Sequence, residues 1–232
     1  MAQCHNKRVC DDDIKNLMFN IGDIMDTVGL DSLNQYTIVN TIISLLLGIS
    51  LSAASGFRVF IPLLIMSLAA LTGFLDLPTN FDWVGSNESL IVFAVASFLE
   101  IGAYYIPILD HVLDTIATPL AAAVGAFITA STVPPDMNPL IQWTLAIIAG
   151  GGSAGLIKSL TSIFRIGSTT ATGGLANPIF ATLELISSIA LSVLAIALPI
   201  FAGFLVLGLF LYGGLRVRRL LLKRKIHTTP ST

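Results

Sequence analysis

Long apolar runs constrain the fold of this sequence more than any other feature. A helix needs about 20 mainly apolar residues to cross a membrane. Only 11% of the 232 residues are charged, whereas soluble domains have about a quarter. We therefore expect an all-α, polytopic membrane bundle with six or seven spans. The candidate spans are 37–54, 57–75, 89–109, 112–131, 140–164, 179–197 and 199–215.

Three pairs of these runs are almost continuous, with breaks at Ser55-Gly56, Asp110-His111 and Pro199. A single helix of about 40 residues would be about 60 Å long, twice the thickness of a bilayer core at about 30 Å. Each double run is therefore expected to fold back as a hairpin or to contain a re-entrant or tilted piece.

The charges indicate an orientation. With seven spans, every Lys and Arg after residue 35 lies on one side, and the acidic loops 76–88 and 131–139 lie on the other. The positive-inside rule then places the C-terminus in the cytoplasm. The N-terminus would be outside with seven spans, or inside with six if 37–75 is re-entrant.

The chain divides into a polar N-terminal segment (1–35), which has the spacing of a short amphipathic helix, a transmembrane domain (36–215) and a basic cytoplasmic tail (216–232). The tail suits attraction to anionic lipid. Cys4, His5 and Cys10 hint at a metal site, but their spacing is not that of a zinc motif. Metal binding is therefore left open.

The transmembrane domain contains two candidate repeats, 37–131 and 140–215. Each has a small-residue break, then a Leu-Glu pair, then a proline before a helix rich in small residues. The pairs end in Glu100 and Glu184, and the prolines are Pro119 and Pro199. Repeats of this kind occur in transporters, with the binding site at the repeat interface.

Three stretches combine glycine with serine or threonine: 50–58, 149–155 and 166–178. Small residues allow close helix packing. Alternatively, a discontinuous helix would free backbone groups to line a site. The third stretch is expected to be irregular backbone. Ser55 in the first stretch, and Thr170 and Asn177 in the third, have polar side chains and are therefore candidate ligands.

Charged residues within apolar runs are candidate functional groups, because their insertion into a membrane is costly. Glu100 and Glu184 are the strongest candidates. Asp110 and Asp114 are four residues apart and would share a helix face, but they could equally form a solvated turn with His111 and a cap for the next helix. Arg58 could reach the cytoplasmic surface, pair with a buried carboxylate or bind an anion.

Three motifs resemble a known family: "LSAASGFRVFIPLL", "FLEIGAYYIPILDHVLDTIATP" and "STTATGGLANPIFATLEL". They are similar to an uncharacterised bacterial and plastid membrane family, domain of unknown function 4126, over about residues 45–215. The resemblance implies a polytopic membrane protein, in a bacterial inner membrane or a cyanobacterial plasma or thylakoid membrane. It implies no substrate, cofactor or catalytic residue.

These features predict a small transporter or channel-like protein that moves an ion or small solute. The alternatives are a non-catalytic scaffold or assembly factor, and a lipid-handling protein. No enzyme motif is present, so we expect no catalytic activity and no cofactor. The expected partners are membrane lipids and a proton or cation, without nucleic acid, and homo-oligomerisation is left open.

Overall fold

The computed structural model describes residues 35–104, 107–134, 137–172 and 176–226. Within these ranges the chain forms eight α-helices and no β-strand, which confirms the all-helical expectation. The other helical elements are a 3₁₀-helix, Thr79–Gly85, and a π-helical turn, Ala146–Gly151. The helices are α1 (Gln35–Phe57), α2 (Phe60–Leu71), α3 (Asn87–Tyr104), α4 (Pro107–Thr132), α5 (Pro139–Leu145), α6 (Gly152–Thr172), α7 (Asn177–Ala197) and α8 (Pro199–Ile226).

Four helical segments of the described chain are long and apolar enough to cross a membrane: α1, α3, the continuous α5–α6 unit and α7. This composition indicates a membrane protein. Helix α2 and the apolar parts of α4 and α8 are shorter. The count of six or seven spans, the internal repeat and the three-part division of the chain therefore stay predictions.

Helix α1 lies at the centre of the bundle and packs against α4, α6, α7 and α8. Every position from 46 to 56 is buried, so this part of the helix is covered on all sides. Its inner positions include Ser50, Ser52, Ala53 and Ala54, none of which has any exposed surface. Small side chains let neighbouring helices approach closely, and this explains how one helix accommodates four partners.

The glycine-rich run at 149–155 forms the tightest of these contacts. Gly150 and Gly151, in the π-helical turn, pack against α4. A Cβ atom added to Gly125 on α4 would lie 2.7 Å from the Gly150 carbonyl oxygen. Ser52 on α1 donates a hydrogen bond to the Gly125 carbonyl (2.6 Å). Of the two interpretations of this run, close packing is therefore correct, because the helix continues through it.

The helix breaks follow proline positions. Helix α1 continues through the expected break at Ser55-Gly56 and ends one residue later, at Phe57. Had it continued, the ring of Pro62 would have met the Arg58 carbonyl, since proline clashes with the carbonyl four residues earlier. The break at Pro199 is confirmed, with α7 ending at Ala197 and α8 beginning at the proline.

The predicted turn at Asp110-His111 is wrong. Helix α3 ends at Tyr104 and α4 begins at Pro107, so both residues lie inside a helix. Proline is favoured at the first helical position because it has no N–H to leave unsatisfied. Asp114 is consequently seven residues into α4 and cannot be its N-terminal cap.

The predicted irregular backbone at 166–178 is also wrong in its first part, because α6 continues to Thr172. Residues 173–175 lie outside the described residues. The hydroxyl of Thr170 donates to the Gly167 carbonyl within the same helix (2.8 Å). A membrane environment requires backbone groups to be satisfied internally, and this outweighs the weak helix propensity of glycine and threonine.

Candidate functional site: a buried charged cluster at a helix break

The short break between α1 and α2 places a charged side chain inside the bundle. Arg58 occupies the break and is 1% exposed. Its Nη2 donates to the Ala181 carbonyl of α7 (2.9 Å). Its Cζ lies 4.0 Å from the centre of the Tyr104 ring. Arg58 therefore lies inside the protein and not at the surface, and these two contacts are with a carbonyl and an aromatic ring instead of a carboxylate.

Glu100 binds the other side of the same break. Its Oε1 accepts a hydrogen bond from the Val59 N–H (2.8 Å), and its Oε2 accepts one from the Phe60 N–H (3.0 Å). These N–H groups begin α2 and carry the partial positive charge of a helix N-terminus. The carboxylate of α3 therefore caps α2, and this holds the two helices together at the break.

Tyr104 lies at the meeting point of three cations. The guanidinium carbons of Arg58 and Arg165 are 4.0 and 4.6 Å from its ring centre, and the Lys158 Nζ is 5.1 Å away. Lys158 also donates to the Tyr104 hydroxyl (2.9 Å). Cations are attracted to the negative face of an aromatic ring. The tyrosine thus offsets part of the cost of burying them.

Arg165 of α6 forms an ion pair with Glu184 of α7, and both side chains are less than a tenth exposed. Arg165 and Lys158 are seven residues apart on α6 and so share one helix face. The ion pair joins α6 to α7 beside the break. We call the whole group the charged cluster, and its members are Arg58, Glu100, Tyr104, Lys158, Arg165 and Glu184.

The charged cluster is unusual for an apolar bundle. Each buried ion loses its hydration, and attraction to a partner often fails to repay that loss. Arg58 is the clearest example. Its Nε and Nη1 atoms are buried and have no hydrogen-bond partner among the residues that the structure describes. Buried polar groups are nearly always satisfied, so this guanidinium requires an explanation beyond packing.

A cavity of about 410 Å³ adjoins the charged cluster between α2, α3 and α4. Glu100 and Tyr104 lie in its wall, and the rest of the wall is apolar. Leu99 and Ile116 also line it, and they are 64% and 59% exposed on the outside of the bundle. The cavity therefore opens towards the apolar surface that lipid would cover.

The structure brings together three of the predicted site residues, Glu100, Glu184 and Arg58. Ser55 is buried in α1 and donates to the Ser52 carbonyl (2.7 Å), so its hydroxyl is used within the helix. Thr170 is exposed and bonds within α6. Asn177 is half-buried at the start of α7, two turns before Glu184.

Asp110 and Asp114 belong to the helical backbone of α4, but their side chains lie outside the part of the structure that can be described. Cys4, His5 and Cys10 also lie outside the described residues. Among the described residues, no three acidic, histidine or cysteine side chains form a group that could hold a metal ion.

Sequence reasoning missed three members of the charged cluster. Lys158 and Arg165 were counted as charges that set orientation, yet they are 1% and 2% exposed. Their spacing of seven residues in an otherwise uncharged helix was the available signal. Tyr104 had no such signal, because its position beside the cations depends on the α1–α2 break and on α6, which are distant from it in sequence.

A family model described as "Domain of unknown function (DUF4126)" matches residues 45–219. This is most of the chain, so the protein belongs to that family, as its motifs predicted. No curated protein gives a significant match, and neither does any solved structure.

Proposed function

We propose that this DUF4126 protein is a small transporter, in which a charged solute passes the charged cluster between the helices. The proposal rests on one observation, the burial of Arg58, Glu100, Lys158, Arg165 and Glu184 around a helix break. Ionisable residues inside a membrane bundle are costly and usually mark a solute or proton pathway. Discontinuous helices often form the binding site in transporters, with half-helix N-termini directed at negative groups.

Glu100 is the proposed coupling residue. It holds the N-terminus of α2 by accepting two backbone hydrogen bonds. A proton or a bound cation would remove negative charge from this carboxylate and weaken its attraction to the helix N-terminus. Solute or proton binding would thereby loosen the contact between α2 and α3, which border the cavity. Glu184, which pairs with Arg165, is the second proposed coupling residue and lies on α7.

Lipid handling is the second candidate. It is favoured by the cavity beside Glu100, which opens between the exposed side chains of Leu99 and Ile116. A ligand could enter such a cavity from the bilayer. A scaffold role remains the alternative if no solute moves, since the Glu100 cap and the Arg165–Glu184 pair also fasten helices together.

We further propose the remaining features of the membrane arrangement. These are six or seven spans, two related halves, a cytoplasmic C-terminus and residence in a bacterial inner membrane. The α8 helix supports this orientation, because its C-terminal turns carry the basic sequence "RVRRLLLKRK". Cytoplasmic segments of membrane proteins carry an excess of such residues.

Neutralising Glu100 tests the transport proposal. Glu100→Gln and Glu184→Gln are expected to lower solute flux by about tenfold or more, since one lost charge interaction of this kind is worth about 1.5–3 kcal/mol. Flux is measured in proteoliposomes, scanning protons, monovalent and divalent cations and organic anions. Glu88→Gln is the matched control, because Glu88 lies on the same helix as Glu100 but is exposed.

The control is expected to match the wild type in flux and thermal stability. Equal flux from folded Glu100→Gln and wild-type protein would remove Glu100 from the mechanism. If the wild type moves none of the solutes tested, the scaffold alternative is preferred.

A further inference from the structure

Two donor atoms of the Arg58 guanidinium, Nε and Nη1, indicate a missing anion. Arginine stays charged even when it is buried, yet only Nη2 of Arg58 has a hydrogen-bond partner among the described residues. Glu100 makes no hydrogen bond to Nε or Nη1, and its two oxygens accept instead from the Val59 and Phe60 N–H groups. A guanidinium with free donors suits the planar oxygens of a carboxylate or phosphate.

The cavity indicates the chemical nature of the rest of the ligand that carries this anionic group. Val59, the residue next to Arg58, lines the cavity, and so does Tyr104, on whose ring the guanidinium lies. The remaining wall is made mostly of alanine, leucine and isoleucine side chains. A volume of about 410 Å³ with such a wall suits an alkyl chain. Its opening beside Leu99 would admit a molecule dissolved in the bilayer.

Glu100 limits the charge of the anion. Its carboxylate is part of the cavity wall, and like charges close together in a low dielectric are unfavourable. Lys158, Arg165 and Glu184 lie on α6 and α7 around Tyr104, where Arg165 already pairs with Glu184. The charged cluster contains three cations and two carboxylates, so a single further negative charge would balance it, whereas a second would face Glu100.

We propose that Arg58 and the adjoining cavity form a binding site for a monoanionic amphiphile, with the anionic group on the guanidinium and the alkyl chain in the cavity. This inference rests on the proposed transport function, for which it names the solute class. It also joins the two candidate functions, since the solute would reach the charged cluster from lipid.

Equilibrium binding of radiolabelled dodecanoate to the full chain, in nanodiscs of a neutral phospholipid, tests the site. Saturable binding above that of empty nanodiscs is expected, with acetate competing at least tenfold less well, since each buried methylene is worth about 0.8 kcal/mol. Dodecyltrimethylammonium, which has a matched chain and the opposite charge, is expected not to compete. Arg58→Gln should weaken dodecanoate binding by about ten- to a hundredfold.

A second pair of variants tests the cavity without touching a charge. Ala103 lines the cavity, so Ala103→Phe fills it and should weaken dodecanoate binding at least tenfold. Ala94 is exposed on the same helix and is not among the lining residues, so Ala94→Phe should bind like the wild type. If Arg58→Gln does not fold, the Ala103 and Ala94 variants and the cationic competitor decide the result.

Unchanged binding in folded Arg58→Gln, or in Ala103→Phe, would overturn the site. So would equal competition by dodecanoate and dodecyltrimethylammonium. Dodecanoate binding without flux in proteoliposomes would overturn the transport proposal and leave the site standing. Flux of another solute through a protein that does not bind dodecanoate would overturn this inference alone.

Discussion

Gly150→Ala is expected to lower the free energy of unfolding by about 3 kcal/mol, at the upper end of the usual cost of overpacking. The added Cβ atom would collide with the hydroxyl of Thr129 and the backbone carbonyl of Gly125, both on α4. A backbone carbonyl cannot rotate away as a flexible side chain can. Helix α4 would have to move off the π-helical turn, and α1 would lose part of its packing. Thermal unfolding in detergent, followed by tryptophan fluorescence, measures the loss.

Gly152 supplies the matched control for this substitution. It lies two residues further along the same helical run, and no atom approaches the position of its missing Cβ within 4 Å. Gly152→Ala should therefore leave stability unchanged or raise it by up to about 1 kcal/mol through helix propensity. Equal stability of the two alanine variants would contradict the close packing of α4 against the π-helical turn.

Breaking the Arg165–Glu184 pair from either side is expected to cost about 3–5 kcal/mol, because a buried charge loses its partner. Arg165→Met and Glu184→Leu should each show this loss in the same unfolding measurement. The double variant should lose much less than the sum of the two, because apolar side chains of similar volume often replace a buried ion pair at little cost. The loss of stability in the double variant minus the sum of the two single losses is the coupling energy of the pair.

Glu88→Gln serves as the reference for an exposed carboxylate and should change stability by no more than about 0.5 kcal/mol. Additive losses in the Arg165→Met, Glu184→Leu double variant would mean that the two side chains act independently. A double variant that is stable but inactive in flux would separate the functional role of the pair from its structural one.

The sequence predicted the helices better than their ends. Runs of apolar residues identified every α-helix of the described residues, because lipid leaves a chain few other ways to satisfy its backbone. Two of the three breaks were displaced because glycine and charge were used to place them, whereas the break placed at Pro199 is confirmed. Proline at positions 62 and 107 explains the observed breaks better, since its ring excludes a continuous helix or favours a helix start.

The sequence predicted the carboxylates of the charged cluster but not its lysine and one of its arginines. Glu100 and Glu184 are conspicuous because a lone carboxylate in an apolar run is costly wherever it lies. The same argument applies to Lys158 and Arg165, but their positions also suited the positive-inside rule. Long cationic side chains can reach a surface or turn inward. Only the tertiary structure, which brings both side chains to the ring of Tyr104 on α3, shows that they turn inward.

The central position of α1 has a consequence for synthesis. Its packing partners α4, α6, α7 and α8 all follow it in the chain, and its inner face contains the hydroxyls of Ser50 and Ser52. These groups gain their final surroundings only after the later helices have emerged from the ribosome. The first of the described helices is thus fully enclosed only after α8 has been made, and a chain that stops before Pro199 leaves the α8 side of α1 uncovered.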